Sequence, residues 1–329
     1  MNIGEILKIR ARDLEPYIVK YLKDGSPENL LEAVRHYPRA GGKMMRPVVA
    51  MVVADAVGGK GKEAAPFGAA LELIHNFTLI HDDIIDDDET RRGIPAVHVK
   101  WGVPTAILAG DALFAKAFEI LSDIDVPDDK LRRILRLTSQ SVWILAEGQQ
   151  LDIDFENQSN ITLENYLNMV EKKTSILFAA AAAGGAIIGG GTDEQISDLY
   201  DFAILLGIAF QLWDDVIGLI GDPKKTGKPV GSDIRKGKRT AIVIHAMSRY
   251  GRGHPIYDML ASVLGNPNAT DGDVNEAIEI LKKEGSIDYA TKMAKRYVLC
   301  AKDKLDCIPE SEHKDFLLAL ADFAIDRGY

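Results

Sequence analysis

The sequence of 329 residues lacks several features that would place it in other classes of protein. It has two cysteines, Cys300 and Cys307, which cannot form a disulfide framework, and residues 1–10 show no signal-peptide pattern. Basic charge is in deficit, because 39 Lys and Arg residues face 49 Asp and Glu residues, for a formal net charge of −10. These features exclude a disulfide-rich secreted domain, disfavour nucleic acid and anionic membranes as partners, and favour the cytoplasm.

Long hydrophobic runs are also missing. The longest uncharged run, residues 175–192, consists mainly of Ala and Gly. It falls short of the roughly 20 strongly apolar residues that a membrane-spanning helix needs. We therefore expect no membrane span and interpret this run as a tightly packed core helix, with its glycines permitting close approach of neighbouring segments.

Strand-like alternation is almost absent, and apolar residues instead recur at steps of three and four, as one buried face of a helix requires. The first such segment runs from Ile3 to Tyr21. Further helices are predicted over residues 128–157, 162–190, 193–221, 239–250, 272–284 and 287–307. No Ser- or Pro-rich linker and no repeat divides the chain. We therefore predict an all-α protein of about a dozen helices in one domain, residues 1–329.

Two carboxylate clusters stand at the ends of apolar helices. Asp82 and Asp86 end the predicted helix that runs from Pro66 to about Asp88, and His75 falls within about 40° of them on the helical wheel. Asp214 and Asp215 follow a second apolar run. Each cluster alone could be a solvated acidic helix end, but the first helix is apolar over most of its circumference and is predicted to be buried.

The chemistry that the two clusters favour together is magnesium binding. Paired oxygen ligands without His or Cys partners suit Mg²⁺, which keeps water ligands and bridges to substrate phosphates. Each cluster is followed by a loop rich in Arg and Lys, residues 88–100 and 222–238, and such cations could hold diphosphate oxygens. The pattern therefore predicts a metal-dependent diphosphate site.

These residues, taken together, resemble a known family, the trans-prenyltransferases or (all-E) polyprenyl diphosphate synthases. The resemblance covers most of the chain, in the family's order. Its motifs here are residues 41–47 (GGKMMRP), 82–86 (DDIID), 91–95 (RRGIP), 148–152 (GQQLD), 173–174 (KT), 210–215 (FQLWDD), 227–228 (GK) and 237–240 (GKRT).

The chain departs from the family pattern in its second aspartate-rich motif. Many members end this motif with an aspartate where this chain has Gly218. The resemblance therefore carries the metal role firmly to Asp214, less firmly to Asp215 and not to Gly218. Whether Asp222 replaces the missing acid is left open.

The resemblance implies the isoprenoid synthase type I fold, a helical bundle around a deep central cavity, and a homodimer. It implies condensation of isopentenyl diphosphate with an allylic diphosphate that binds between the two aspartate motifs through several Mg²⁺ ions. The metal ligands would be Asp82, Asp86 and Asp214.

The resemblance also assigns the remaining site residues. The leaving diphosphate would contact Arg91, Lys173, Lys228 and Lys238. Isopentenyl diphosphate would be held without metal by Lys43, Arg46, His75 and Arg92. Thr174 and Gln211 would place oxygen dipoles beside the allylic cation. Gln149 and Asp152 belong either to the site or to a structural hydrogen-bond network.

Product length is predicted from the helix that carries Asp82. Within the family, an aromatic residue five places before an uninterrupted DDxxD motif, here Phe77, resembles archaeal-type geranylgeranyl diphosphate synthases. Thr78 is small and leaves the near wall open. We expect mainly geranylgeranyl diphosphate, with some farnesyl diphosphate.

Two other functions remain open at this point. A class I terpene cyclase would also use DDxxD and Mg²⁺, but it would lack the cluster of Lys43, Arg46 and His75. A non-catalytic subunit of a hetero-oligomeric synthase should have lost an aspartate cluster or the cations, and here only Gly218 hints at such a loss.

Overall fold

The computed structural model describes residues 2–156, 158, 160–221 and 230–326. Within these residues the chain forms seventeen α-helices and one hairpin whose two strands have two residues each, which confirms the all-α prediction. In chain order the helices are α1 (Ile3–Ala11), α2 (Glu15–Tyr21), α3 (Glu28–Ala40), α4 (Met45–Ala56), α5 (Ala65–Ile85), α6 (Val97–Trp101), α7 (Val103–Ser122), α8 (Asp128–Glu156), α9 (Leu163–Val170), α10 (Ile176–Gly189), α11 (Asp193–Ile220), α12 (Ser232–Arg235), α13 (Ala241–Ser248), α14 (Pro255–Val263), α15 (Asp271–Lys283), α16 (Ser286–Asp303) and α17 (Glu312–Ile325).

The described residues contain more helices than the predicted dozen because short helices stand beside the long ones. The predicted helix from Ile3 to Tyr21 is two helices, α1 and α2. Pro16 lies in the first turn of α2, where its missing N–H costs no hydrogen bond, so the chain can break and restart there. Periodicity alone misses this break because apolar residues continue across it.

The loop after the first carboxylate cluster contains strands β1 (Thr90–Arg91) and β2 (Ile94–Pro95), which pair antiparallel. Arg92 and Gly93 form the connection with φ angles of 54° and 76°. Positive φ at both central residues matches the tight turn whose twist suits a hairpin. The loop therefore presents Arg91 and Arg92 from an ordered backbone.

Contacts divide the chain into two compact units. The first comprises Met1–Ser139, Ala179–Tyr200 and Leu305–Ala319. Its core includes α4, α5 and part of α10, which pack closely at glycines. A Cβ added to Gly184 would lie 2.2 Å from the Phe67 ring, and one added to Gly185 would lie 2.2 Å from the Ala50 carbonyl oxygen. These contacts confirm that glycines in the 175–192 run permit close packing.

The second unit comprises Gln140–Phe178, Asp201–Lys304 and Leu320–Tyr329. A short π-helical segment, Glu171–Ser175, joins α9 to α10 and lies between two glycines. A Cβ on Gly148 would come within 2.3 Å of the Lys173 backbone nitrogen, and one on Gly207 within 2.5 Å of Ser175 Oγ. π-Helical turns are rare and often occur at functional sites.

Helix α11 is long and apolar enough, by length and composition alone, to cross a membrane. Its most apolar window has a mean hydropathy of 1.8, but 56% of that window is buried inside the protein. A buried core helix has the same composition, so the absence of a membrane span stays a prediction.

Candidate functional site

The first carboxylate cluster lies where α5 ends. Asp82 occupies the last turn of α5, and the backbone N–H of Asp86 donates to the Asp82 carbonyl oxygen at 2.8 Å. The helix stops at Ile85, three residues before its predicted end, and Asp87 adopts a positive φ of 53°. Asp82 and Asp86 are partly exposed, whereas Asp83 is buried. The two predicted metal ligands therefore reach solvent and their neighbour does not.

Asp83 anchors the hairpin to α5. Its Oδ1 accepts a hydrogen bond from Arg91 Nε at 2.8 Å and another from Arg91 Nη2, and its Oδ2 accepts one from the Tyr37 hydroxyl. Burial raises the pKa of Asp83, although Arg91 and Tyr37 favour its charged form. Arg91, a predicted diphosphate ligand, is thus held beside the carboxylate cluster by a buried ion pair.

A second group of cations surrounds His75 on α5. Burial lowers the pKa of His75 well below 6.5, and the nearby charges of Arg46, Arg92 and Arg91 lower it further. His75 is therefore neutral at pH 7 and can donate a hydrogen bond without adding charge. The structure thus brings together three of the four residues predicted to hold isopentenyl diphosphate.

Buried Glu72 balances this cationic group. Its Oε1 lies 4.0 Å from Arg92 Nη2, and burial raises the pKa of Glu72 while Arg92 and Arg46 lower it. The loop from Gly41 to Met44 closes over Arg92, since a Cβ on Gly42 would lie 2.8 Å from Arg92 Nη2. Lys43, the fourth predicted residue, is exposed on that loop.

The predicted chain-length residues face different surroundings. The ring of Phe77 packs against His81 at 4.9 Å and against Phe114 of α7 at 5.3 Å, and Phe114 packs against Phe118 at 5.0 Å. Thr78 Oγ1 donates to the His75 carbonyl oxygen at 2.8 Å, so its methyl group is the part left to contact a ligand. The sequence interpretation missed His81, Phe114 and Phe118, although the spacing of the last two places them on one helix face.

In the second unit, Asp152 joins two predicted diphosphate ligands. Its Oδ2 accepts hydrogen bonds from Lys173 Nζ at 2.7 Å and from Lys238 Nζ at 2.9 Å. Burial alone would raise the pKa of Asp152, but the two ammonium groups outweigh burial and leave it below its ordinary value. Asp152 thus fixes lysines that are 65 residues apart in sequence.

Thr174 and Gln211, the two residues predicted to lie beside the allylic cation, contact each other. Thr174 Oγ1 donates to Gln211 Oε1 at 3.2 Å, and Gln211 Nε2 donates to Asp215 Oδ1 at 2.9 Å. Tyr166 completes the chain by donating to Asp215 Oδ2 at 2.6 Å. Because Asp215 is buried and orients Gln211, it acts as a structural acceptor, whereas Asp214 is partly exposed.

A carboxylate lies beside the position where the second motif lacks its acid. A Cβ built on Gly218 would lie 3.3 Å from Asp233 Oδ2. Burial raises the pKa of Asp215 well above its ordinary value, and the charge of Asp233 raises it further. The sequence interpretation missed Asp233, while Asp222 and Lys228 lie outside the described residues.

Almost the whole chain is similar to known proteins of one family. Residues 27–281 match the family model described as polyprenyl synthetase. The chain is 41% identical to the geranylgeranyl diphosphate synthase of Methanosarcina mazei over 100% of this chain and 99% of that protein. The chain belongs to the polyprenyl synthetase family.

Solved structures and other relatives extend this result. The geranylgeranyl pyrophosphate synthetase of Pyrococcus horikoshii superposes with a TM-score of 0.94 at 44% identity, covering 99% of this chain and 98% of that one. The geranylgeranyl pyrophosphate synthase of Corynebacterium glutamicum, described as complexed with isoprenyl diphosphate and magnesium, superposes with a TM-score of 0.89 at 28% identity, with 100% of both chains covered. A relative in Natronomonas pharaonis, 39% identical over 92% of this chain and 91% of that protein, is named a geranylfarnesyl diphosphate synthase.

The donor set of this polyprenyl synthetase fits a hard divalent cation. Among the described residues, no three His, Cys, Asp or Glu side chains gather into a preformed metal site. Mg²⁺ needs no such cage, because it is commonly bound by one or two carboxylates plus water and substrate phosphates. The partly exposed Asp82, Asp86 and Asp214 offer oxygen ligands of this kind.

Proposed function

We propose that the chain is a Mg²⁺-dependent short-chain trans-prenyltransferase. It condenses isopentenyl diphosphate with dimethylallyl, geranyl or farnesyl diphosphate and makes geranylgeranyl diphosphate. The observation that carries this proposal is that each unit holds a partly exposed acid of an aspartate motif together with cations fixed by a second acid. These are Asp82 and Arg91 in the first unit, and Asp214, Lys173 and Lys238 in the second.

Metal binding is assigned to Asp82, Asp86 and Asp214, with Asp233 supplying the carboxylate that Gly218 lacks. When bound, Mg²⁺ would neutralise charge on the departing diphosphate. Arg91, Lys173, Lys238 and Lys228 contact the same group, and ion pairs to Asp83 and Asp152 hold three of these cations in place before substrate arrives. Preorganised charge of this kind costs no reorganisation during the reaction.

Isopentenyl diphosphate binds at the cations around α5. Lys43, Arg46 and Arg92 supply charge, and neutral His75 donates a hydrogen bond. Thr174 and Gln211 direct oxygen atoms at the allylic cation, since Asp215 holds the amide of Gln211. The departing diphosphate accepts the proton that the condensation product loses, so no separate side-chain base is required.

The chain grows along α5 towards Phe77, and farnesyl diphosphate is released as a minor product. Phe77 is supported from behind by Phe114, so its ring resists displacement by the growing chain. Thr78 leaves room for chains longer than farnesyl, because its hydroxyl is turned to the backbone.

The enzyme works as a single catalytic domain of residues 1–329, in the cytoplasm, as a homodimer and without a membrane span. The family model covers parts of both units. Cys300 and Cys307 are free thiols, as expected in a reducing compartment. Helices α6 and α7 expose Val99, Ile107 and Leu108, an apolar face that a second copy could cover.

The two alternative functions have less support. A terpene cyclase has no use for the cations that surround His75, and a non-catalytic subunit has no need for the ion pairs that fix Arg91, Lys173 and Lys238.

The direct test is incubation with radiolabelled isopentenyl diphosphate, each allylic diphosphate in turn, and Mg²⁺, followed by chromatography of the dephosphorylated products. We expect geranylgeraniol as the main product and no turnover with EDTA. Cyclic hydrocarbons formed without isopentenyl diphosphate would identify a cyclase. No product with any allylic substrate would identify a non-catalytic subunit.

A further inference from the structure

A cavity of about 560 Å³ lies within the second unit, bordered by the segment before α9 and by α13, α14 and α16. Its volume is in the range of small-molecule binding sites. Of the described residues, none that we assign to metal, diphosphate or the prenyl chain lines it.

The lining of this cavity opposes the charge of the whole chain. Acids outnumber bases by 49 to 39 in the sequence, yet none of the described residues that line the cavity is Asp or Glu. The lining does include the cations Arg239 and Arg252. It also includes His245, a neutral hydrogen-bonding group because burial and the charge of Arg249 lower its pKa. The cavity is therefore electrostatically suited to an anion.

Arg239 is the strongest evidence that the cavity binds an anion. Its Nε is buried and makes no hydrogen bond, and its Nη1 contacts only a weak acceptor, Met247 Sδ, at 3.7 Å. No carboxylate of the described residues forms an ion pair with it. A partly buried guanidinium without a countercharge is costly, because it loses hydration and gains little in return. An anion in the cavity would remove this cost.

Aromatic rings form another part of the wall. Tyr289 stacks on His245 with ring centroids 4.1 Å apart, and Tyr250 stacks on His254 at the same distance. The Tyr250 hydroxyl donates to Glu284 at 2.6 Å, and Glu284 is also paired with Arg249 at 3.3 Å. Glu284, which contacts Tyr250, is thus already paired with a cation, and the fixed ring faces suit an apolar or planar group.

We propose that this cavity binds a small amphipathic organic anion, with its charged group at Arg239 and its apolar body against Tyr250, Tyr257 and Tyr289. Two sources share this chemistry: a prenyl diphosphate made by the enzyme itself, and an aromatic carboxylate or sulfonate. The site would be separate from the one that performs the condensation.

The test uses 8-anilinonaphthalene-1-sulfonate as the probe, titrated by fluorescence into the full-length protein. We compare the wild type with Arg239→Met, which removes the charge, and with Ser248→Trp, which fills the cavity from its rim. The control is Arg296→Met, an exposed arginine of α16 that does not line the cavity. Thermal unfolding shows whether each variant is folded.

We expect a probe-binding component that weakens at least about tenfold in Arg239→Met and in Ser248→Trp, and is unchanged in Arg296→Met. Wild-type affinity in either cavity variant would overturn the proposal, and Ser248→Trp decides alone if Arg239→Met does not fold. Because the readout is binding without turnover, its outcome does not depend on the proposed reaction.

Competition distinguishes the two sources. Geranylgeranyl diphosphate and 2-naphthoate are each added to displace the component that Arg239→Met loses. Displacement by geranylgeranyl diphosphate assigns the site to the product, and displacement by 2-naphthoate alone assigns it to aromatic anions. If neither displaces that component, both proposed sources are wrong.

Discussion

At the scale of single residues, three neighbouring aspartates on and after α5 have different roles. Asp82 and Asp86 are accessible, whereas Asp83 is buried in an ion pair with Arg91. Sequence spacing alone cannot make this distinction, because all three carry the same side chain. Burial separates the two proposed metal ligands from a structural anchor.

We predict that Asp82→Ala or Asp86→Ala lowers turnover by about two to three orders of magnitude, because each removes a ligand from the metal that stabilises leaving charge. The measurement is the steady-state rate at saturating Mg²⁺. Asp111→Ala, on an exposed position of α7, is the matched control and should keep its rate. A near-wild-type rate in Asp82→Ala would show that the metal assignment is wrong.

The missing acid at Gly218 makes a second residue-scale prediction. Asp233→Asn should raise the Mg²⁺ concentration needed for half-maximal rate by about tenfold, since it removes the carboxylate beside Gly218. Adding Gly218→Asp to this variant should restore much of the Mg²⁺ affinity. An unchanged Mg²⁺ dependence in Asp233→Asn, together with a large loss in Asp222→Ala, would instead assign the replacement to Asp222.

At the scale of elements, the loops and the hairpin arrange cations into separate groups. Lys43 and Arg46 flank the start of α4, while the π-helical segment and the loop before α13 present Lys173 and Lys238 to Asp152. Asp152 fixes Lys173 and Lys238, whereas Arg46 lies in the field of buried Glu72, so we expect the two groups to act on different substrates.

Kinetics should separate these groups. Lys43→Ala or Arg46→Ala should raise KM for isopentenyl diphosphate about tenfold or more, with a smaller change for the allylic substrate. Lys228→Ala or Lys238→Ala should mainly lower kcat, because their contacts strengthen as charge develops on the leaving group. If every variant changed both KM values equally, a single shared pocket would explain the data better.

We expect helix α5 to set product length through the consecutive residues Phe77 and Thr78. Phe77→Ser should lengthen the product beyond C20, because it removes the ring that Phe114 supports. Thr78→Phe should shorten it towards C15 by narrowing the space beside α5. Chromatography of dephosphorylated products measures both, and the same chain length in wild type and both variants would contradict the assignment.

At the scale of the whole molecule, helices α6 and α7 carry an exposed apolar face. Ile107 and Leu108 are 43% and 55% exposed. Because they are neighbours, they form part of an apolar patch and are not single scattered residues. Such a face is typical of an interface between subunits.

We predict that Leu108→Asp shifts the protein from dimer to monomer in sedimentation-velocity experiments, because a carboxylate would be buried at the subunit contact. Leu299→Asp alters a similarly exposed leucine on α16 and should leave the dimer intact. A wild type that sediments as a monomer, or a Leu108→Asp variant that stays dimeric, would rule out this interface.

The sequence by itself determined the helical class and the family. These are short-range properties: apolar spacing repeats within a few residues, and each motif lies within one helix end or one loop. The predicted positions of α8, α11 and α15 agree with the structure to within about two residues.

Tertiary structure alone decided which residues surround those motifs. Asp152 meets Lys173 and Lys238, Asp233 lies beside Gly218, and Phe114 supports Phe77 only after distant segments have packed together. It also decided that Asp83 and Asp215 are buried whereas Asp82 and Asp214 are accessible. Local pattern cannot report these facts, because burial and long-range pairing depend on what each face of a helix contacts.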